Sequence, residues 1–236
     1  MGSIEFECVT LRRGSRLVFD GLTVSISQHR VGLLGDNGAG KSSMLRLING
    51  LLLPDAGEVR VDGLLTSKAR RELPAKVGFV FQNAENQIVF PTALEEVAFG
   101  FRERGLSRPQ ANEKAREVFT RFGCNDWAGA VVHEMSEGQK QRLCIISIVA
   151  MMPDILVMDE PFASLDLPTR LDLMDLISSL PQRLIVASHD LDLLAAMDRV
   201  IWLSDGKIAG DGAPASVIEA YKTAVSASRK HMVFAP

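Results

Sequence analysis

The stretch Gly35-Asp36-Asn37-Gly38-Ala39-Gly40-Lys41-Ser42 sets glycine, lysine and a hydroxyl at the spacing GxxxxGK[ST]. The glycines let backbone N–H groups curl around phosphate oxygens, and the helix that follows points its positive end at them. Lys41 supplies a charge for β and γ phosphates, the Ser42 hydroxyl suits Mg²⁺, and Ser43 continues the cradle. Context agrees. The apolar run Val31 to Leu34 precedes the loop, and Met44, Leu45, Leu47 and Ile48 follow at helical spacing before Gly50. Residues 35–43 thus read as a loop that binds the phosphates of ATP.

Three further apolar runs, Val77 to Phe81, Ile155 to Met158 and Leu184 to Ala187, resemble Val31 to Leu34. Short runs of this kind are strands buried on both faces of a parallel sheet. Each stops at a residue able to do chemistry: Gln82, then Asp159-Glu160, then Ser188-His189. In open α/β sheets ligands sit at the carboxyl ends of the strands, so these ends belong to one site. Asp159 is suited to hold Mg²⁺, largely through water, and Glu160 to polarise an attacking water. Binding of ATP then becomes hydrolysis.

The elements that must position these groups give an α/β class, a P-loop NTPase (RecA-like) core with two additions. Ile4 to Val9, Leu22 to Ile26 and Glu58 to Val61 partly alternate in polarity, as strands of an antiparallel β subdomain do. From Thr92 to Met152 the period becomes helical. Thr92 with Glu95 and Ser136 with Gln139 are spaced as capping boxes, and Ala111, Ala115, Val118, Phe119 and Phe122 share one face. Residues 85–152 are therefore expected to be an inserted helical subdomain. Residues 1–84 and 153–212 are expected to form the nucleotide-binding core, and 213–236 a short helix and tail. Ser204-Asp205-Gly206-Lys207 reads as a hairpin.

Met135-Ser136-Glu137-Gly138-Gln139, between the phosphate loop and Asp159-Glu160, resembles the LSGGQ signature of ABC-type ATPases. Gln82 matches that family's Q-loop glutamine, Ala163-Ser164-Leu165-Asp166 its D-loop and His189 its switch histidine. The resemblance covers nearly the whole chain, in order. It implies that Ser136 and the backbone at Gly138 contact the γ-phosphate of ATP held by a second copy, in a head-to-tail dimer with two sandwiched nucleotides. It implies that Gln82 touches Mg²⁺ and the attacking water and reports to a membrane partner. His189 would hold the γ-phosphate and orient Glu160. Two positions depart from the pattern. Glu137 replaces a glycine and puts a carboxylate near the partner site unless it turns away. Arg13 stands where an aromatic residue stacks on adenine; a guanidinium can do so, and Leu17 and Phe19 are the neighbouring candidates.

Phe81-Gln82-Asn83-Ala84-Glu85-Asn86-Gln87-Ile88-Val89-Phe90, followed by Val97-Ala98-Phe99-Gly100, resembles the Q-loop and Q-helix of energy-coupling-factor (ECF) transporter ATPases. That resemblance implies a transmembrane coupling protein contacting Gln82 and a Glu85–Val89 helix, a substrate-binding membrane protein, and a peripheral place on the cytoplasmic face of the membrane. The cargo would be a vitamin or metal ion. The shortness of the chain favours biotin-type systems over cobalt or nickel ones. The alternatives are a conventional ABC importer and a soluble ABC ATPase. Glu95-Glu96 read as a solvated helix face.

Composition bounds these readings. A chain of 236 residues, 47% hydrophobic, can bury a substantial core. Its net charge of −3, with no block of like charge, argues against a nucleic-acid partner. Cys8, Cys124 and Cys144 are scattered and are expected to be reduced thiols. No signal segment is visible, and no apolar stretch reaches the roughly 20 residues that a membrane-spanning helix requires.

Overall fold

The structure, a computed structural model, describes residues 2–163 and 165–233, with the backbone alone for residues 228–233. In chain order the strands are β1 (Ile4–Arg13), β2 (Arg16–Ile26), β3 (Arg30–Leu34), β4 (Ala56–Val61), β5 (Leu64–Leu65), β6 (Val77–Val80), β7 (Ile155–Asp159), β8 (Arg183–Ala187), β9 (Arg199–Ser204) and β10 (Lys207–Gly212). The helices are α1 (Lys41–Ile48), α2 (Leu73–Lys76), α3 (Ala93–Glu103), α4 (Arg108–Arg121), α5 (Glu137–Val149), α6 (Leu167–Ser179), α7 (Leu191–Ala195) and α8 (Pro214–Val233). The chain folds as two compact units, residues 1–74 with 183–236, and residues 75–182.

In the first unit, β2, β1, β4 and β5 form an antiparallel sheet in that order. The polarity of β1 alternates only in part, and the reason is local. Glu7 and Cys8 are both exposed, Cys8 has φ 48°, and the register against β2 shifts between Phe6 and Val9. This bulge returns Val9 and Leu11 to the buried face. The apolar run of β3 has no exposed surface at Val31, Leu33 or Leu34. β3 pairs in parallel with β8 on one side and β9 on the other, as fully buried strands should. β9 turns into β10 through Asp205 and Gly206, both at positive φ, the geometry of a two-residue hairpin turn.

The chain end differs from expectation. α8 runs for 20 residues and is not short. Pro214 starts it, where a missing N–H costs nothing. Ala, Glu and Lys follow with neither glycine nor proline to stop them. Residues 234–236 lie outside the described residues.

In the second unit β6 and β7 pair in parallel. α3, α4 and α5 enclose a core of Val97, Ala111, Ala115, Phe119, Leu143 and Ile146; of the face expected on α4, Ala111, Ala115 and Phe119 are in it and Val118 and Phe122 pack against it partly buried. Among the described residues no helix is long and apolar enough to cross a membrane.

Candidate active site

The loop of residues 35–40 joins β3 to α1, which buries Met44, Leu45, Leu47 and Ile48 completely. Gly40 ends the loop at φ 110°, and a Cβ there would lie 2.7 Å from the Phe19 ring. Phe19 is thus the floor of the loop and fully buried, which removes it as an adenine contact. The loop turns on itself, with Ala39 N–H donating to Asp36 O at 3.0 Å.

Lys41 is 6% exposed, and its Nζ donates to Gly35 O at 2.6 Å and to Asp36 O at 3.3 Å. The same Nζ lies 3.1 Å from Nε2 of His189, which follows β8 and is 3.0 Å from Asn37 Oδ1. One ring nitrogen cannot accept from the ammonium and donate to Oδ1 at once. The two contacts correspond to two tautomers of His189. The first unit therefore brings together Gly35, Asp36, Asn37, Gly38, Lys41 and His189, residues separated by about 150 positions in the chain.

Two residues that sequence reasoning did not single out touch this loop. β1 and β2 are joined by Gly14-Ser15, with Gly14 at φ 61°, and Arg13 and Arg16 face each other across that turn. Arg13 is exposed, and it is Arg16 whose Nη2 donates to Gly38 O at 2.7 Å. Tyr221 of α8 donates its hydroxyl to Asp36 Oδ1 at 3.0 Å and stacks edge-on against Trp202. Burial, then the Asp36 carboxylate, push the phenol above its ordinary value. Arg16 was visible as a cation beside a Gly-Ser turn. Tyr221 had no signal, because its partner lies 185 residues away.

The second unit carries Gln82, Ser136, Gly138, Asp159 and Glu160. Asp159 closes β7 and is 5% exposed. Glu160 follows at φ 47°, a left-handed conformation that carboxylate residues adopt at some cost, and its carbonyl accepts from Ala163 N–H at 3.2 Å. Ser164 of the D-loop lies outside the described residues. Gln82 is exposed past the end of β6. It lines a cavity of about 320 Å³ with Asn83, Glu137, Gln141 and Ala163.

The signature turn is fixed by a reciprocal cap. Ser136 N–H donates to Gln139 Oε1 at 2.8 Å, and Gln139 N–H to Ser136 Oγ at 3.3 Å. Gly138 has a packing reason for being glycine, since a Cβ would stand 2.1 Å from Thr169 Cγ2 on α6. Glu137 is turned to Lys140 Nζ, at 2.9 Å, and that ammonium also holds Glu85 at 2.8 Å.

The segment after Gln82 differs from expectation. No helix spans Glu85 to Val89; only Ala84–Asn86 forms a single 3₁₀ turn. Gln87 and Ile88 N–H bond Ala84 O, while side chains take other amides in and beside the segment. Asn83 Oδ1 accepts from Glu85 N–H, and Gln87 Oε1 from Phe81 N–H. Glu96 Oε2 accepts from Val89 and Phe90 N–H at 2.9 and 3.0 Å. Glu96 is therefore not the solvated residue expected. Glu95 is not either, since it accepts from the Thr92 hydroxyl and faces Arg108. Thr92 caps α3 through the Glu95 N–H, but the reciprocal half of the expected capping box is replaced by the hydroxyl–carboxylate bond.

A phosphate loop with its lysine and a strand-end histidine in contact, and an acidic pair closing a buried strand, are parts suited to nucleotide binding and hydrolysis. Comparison with known proteins agrees. Residues 19–163 match the family model described as ABC transporter. The biotin transport ATP-binding protein BioM of Rhodobacter capsulatus is 42% identical over 96% of this chain and 97% of its own length. The energy-coupling factor transporter ATP-binding protein EcfA1 of Lacticaseibacillus paracasei is 38% identical over 78% of this chain and 68% of its own. Among solved structures cbiO1 of Clostridium perfringens, part of the ABC transporter complex cbiONQ, gives a TM-score of 0.80 at 26% identity, covering 93% of this chain and 92% of that one. With a P-loop NTPase fold and a family match over 19–163, this chain belongs to the ABC transporter family and is an ATP-binding ATPase.

Proposed function

We propose that the chain energises a membrane importer of the ECF type by hydrolysing ATP as a head-to-tail pair of copies. The observation that carries nucleotide binding is the Lys41 ammonium, anchored on two loop carbonyls and set against His189, and the acidic pair Asp159-Glu160 at the end of the buried β7 supports hydrolysis. Similarity over nearly the full length of both chains to a biotin transport ATP-binding protein supports biotin as the cargo over cobalt or nickel. In this reading a transmembrane coupling protein docks at Gln82 and the 85–89 segment, a substrate-binding membrane protein completes the importer, and the chain sits peripherally on the cytoplasmic face.

The residues divide the work. Amides of residues 35–43 and Lys41 bind the β and γ phosphates. In this reading the Ser42 hydroxyl, the Asp159 carboxylate and the Gln82 amide oxygen, oxygen donors of the kind Mg²⁺ takes, would hold that ion. Bound there, the ion would supply positive charge against the developing phosphate charge. Glu160 would orient and polarise the attacking water, and His189 would hold the γ-phosphate. Ser136 and Gly138 present a capped helix start to the nucleotide of the second copy. Arg13 was the expected adenine contact; the hydrogen bond of Arg16 to Gly38 supports Arg16 as the nearer candidate.

Glu160→Gln tests the assignment. It is expected to keep ATP binding, stabilise the ATP-bound pair and lower steady-state turnover by about 10²-fold or more, the scale of a lost general base. Unchanged turnover would remove Glu160 from the mechanism.

A further inference from the structure

We propose that Lys140 is a positioning residue that keeps the Glu137 carboxylate off the phosphates bound by the second copy, by tying it to Glu85. This rests on the reading above that the turn Ser136 to Gly138 faces that nucleotide. Glu137 opens α5, between the two residues assigned to the anion. A helix start attracts negative charge, and a fixed carboxylate there competes with a phosphate for the same field. The sequence thus sets a charge where the site needs none.

Lys140 answers it. It lies three residues on, on the same helix face. Its side chain is 10% exposed, whereas those of Glu85 and Glu137 are 61% and 60% exposed. Its ammonium is held by two carboxylates at 2.8 and 2.9 Å. The pairing raises Lys140 above its ordinary value and holds Glu85 below its own. Glu85 stands in the 3₁₀ turn three residues after Gln82, fixed by Asn83. The clasp therefore joins the segment that follows Gln82 to the signature turn. A simpler role exists for Glu137: an acid in the first turn stabilises its own helix. That role makes a different forecast, because Lys140 would then not matter to nucleotide binding through Glu137.

The test uses the full chain with Glu160→Gln, and reads the ATP concentration giving half-maximal pairing by light scattering. Adding Lys140→Gln is expected to raise that concentration about tenfold, the scale of one uncompensated like charge near an anion. Adding Glu137→Gln as well should restore it to within about twofold, and Lys140→Arg should leave it near the parent. In the chain with Glu160 intact, Lys140→Gln should raise KM for ATP and leave kcat within about twofold. No effect of Lys140→Gln, or a double variant as impaired as the single, overturns the proposal. Should Lys140→Gln not fold, Lys140→Met keeps the buried stem and carries the same comparison. Glu137→Gln alone must leave the requirement unchanged or lower, and a rise overturns the proposal. If the Glu160→Gln chain never pairs with ATP, it is the head-to-tail reading that fails.

Discussion

Glu96 offers a prediction whose size can be worked from its contacts. Its Oε2 accepts from the Val89 and Phe90 amides at 2.9 and 3.0 Å, and so replaces the carbonyls a helix would have offered. A hydrogen bond to a charged group contributes about 1.5–3 kcal/mol. Val89 is 78% exposed, so water competes for its amide and the lower end applies. Glu96→Ala should therefore lower the opening free energy at each amide by about 1.4 kcal/mol, which is about tenfold faster exchange. Glu96→Gln keeps a neutral acceptor roughly half as strong, so a rise of about threefold is expected. Amides in the middle of α3 should not change. Glu95→Ala is the control, because that carboxylate engages Thr92 and Arg108 and neither of the two amides. Amide exchange resolved by NMR reads both sites. Equal rates at Val89 and Phe90 in the Ala variant and the parent would refute the claim that this side chain shapes the segment. In the assembled importer the same variant should lower transport per ATP while leaving ATP affinity within about twofold.

Three further outcomes are expected. Gly138→Ala should destabilise the chain by about 1–3 kcal/mol through the clash with Thr169, read as a lowered denaturation midpoint; an unchanged midpoint would show that α5 and α6 yield freely. Tyr221 is the single tyrosine, so phenolate absorbance in the folded chain should rise with a midpoint above 10.0, moving down in Asp36→Asn. Because that folded value is raised, its share of stability is complete below 10.0 and is lost as pH climbs through the folded midpoint; a midpoint at or below 10.0 would deny the contact. Of the three thiols, exposed Cys8 should react with a polar thiol reagent in the native chain, while Cys144, pushed up to about 12 by burial, should react only on unfolding. Native labelling of Cys144 would contradict its burial.

What was legible in the sequence follows from the range of the interactions. The four apolar runs were readable because burial on both faces leaves no room for polar residues, and β3, β6, β7 and β8 fall on them. The Ser136–Gln139 cap was readable because both bonds close within four residues. So was the loop around Lys41, whose glycines sit at positive φ. The partners of Arg16, Tyr221 and Glu85 were not, since each acts on a residue brought near only by the fold. Lys140 was half-legible: its spacing from Glu137 is that of a helical ion pair, but its link across to Glu85 is not written locally.

The segment between Gln82 and Thr92 shows why a familiar motif can mislead about secondary structure. The resemblance led to a helix over Glu85–Val89, and the residues there are not poor helix formers. A helix this short closes few backbone bonds, so nucleation is hardly recovered. Asn83, Gln87 and Glu96 each offer a side-chain acceptor to an amide in or beside the segment. Side-chain acceptors of this kind compete directly with helical pairing. Backbone pairing ends with the Gln87 and Ile88 amides on Ala84 O, and the next two amides, of Val89 and Phe90, go to Glu96, which is anchored on α3. Residues chosen for contact at this position thus need not form a helix to be held in place, and the charge that appeared to belong to a solvated face is the one that holds them.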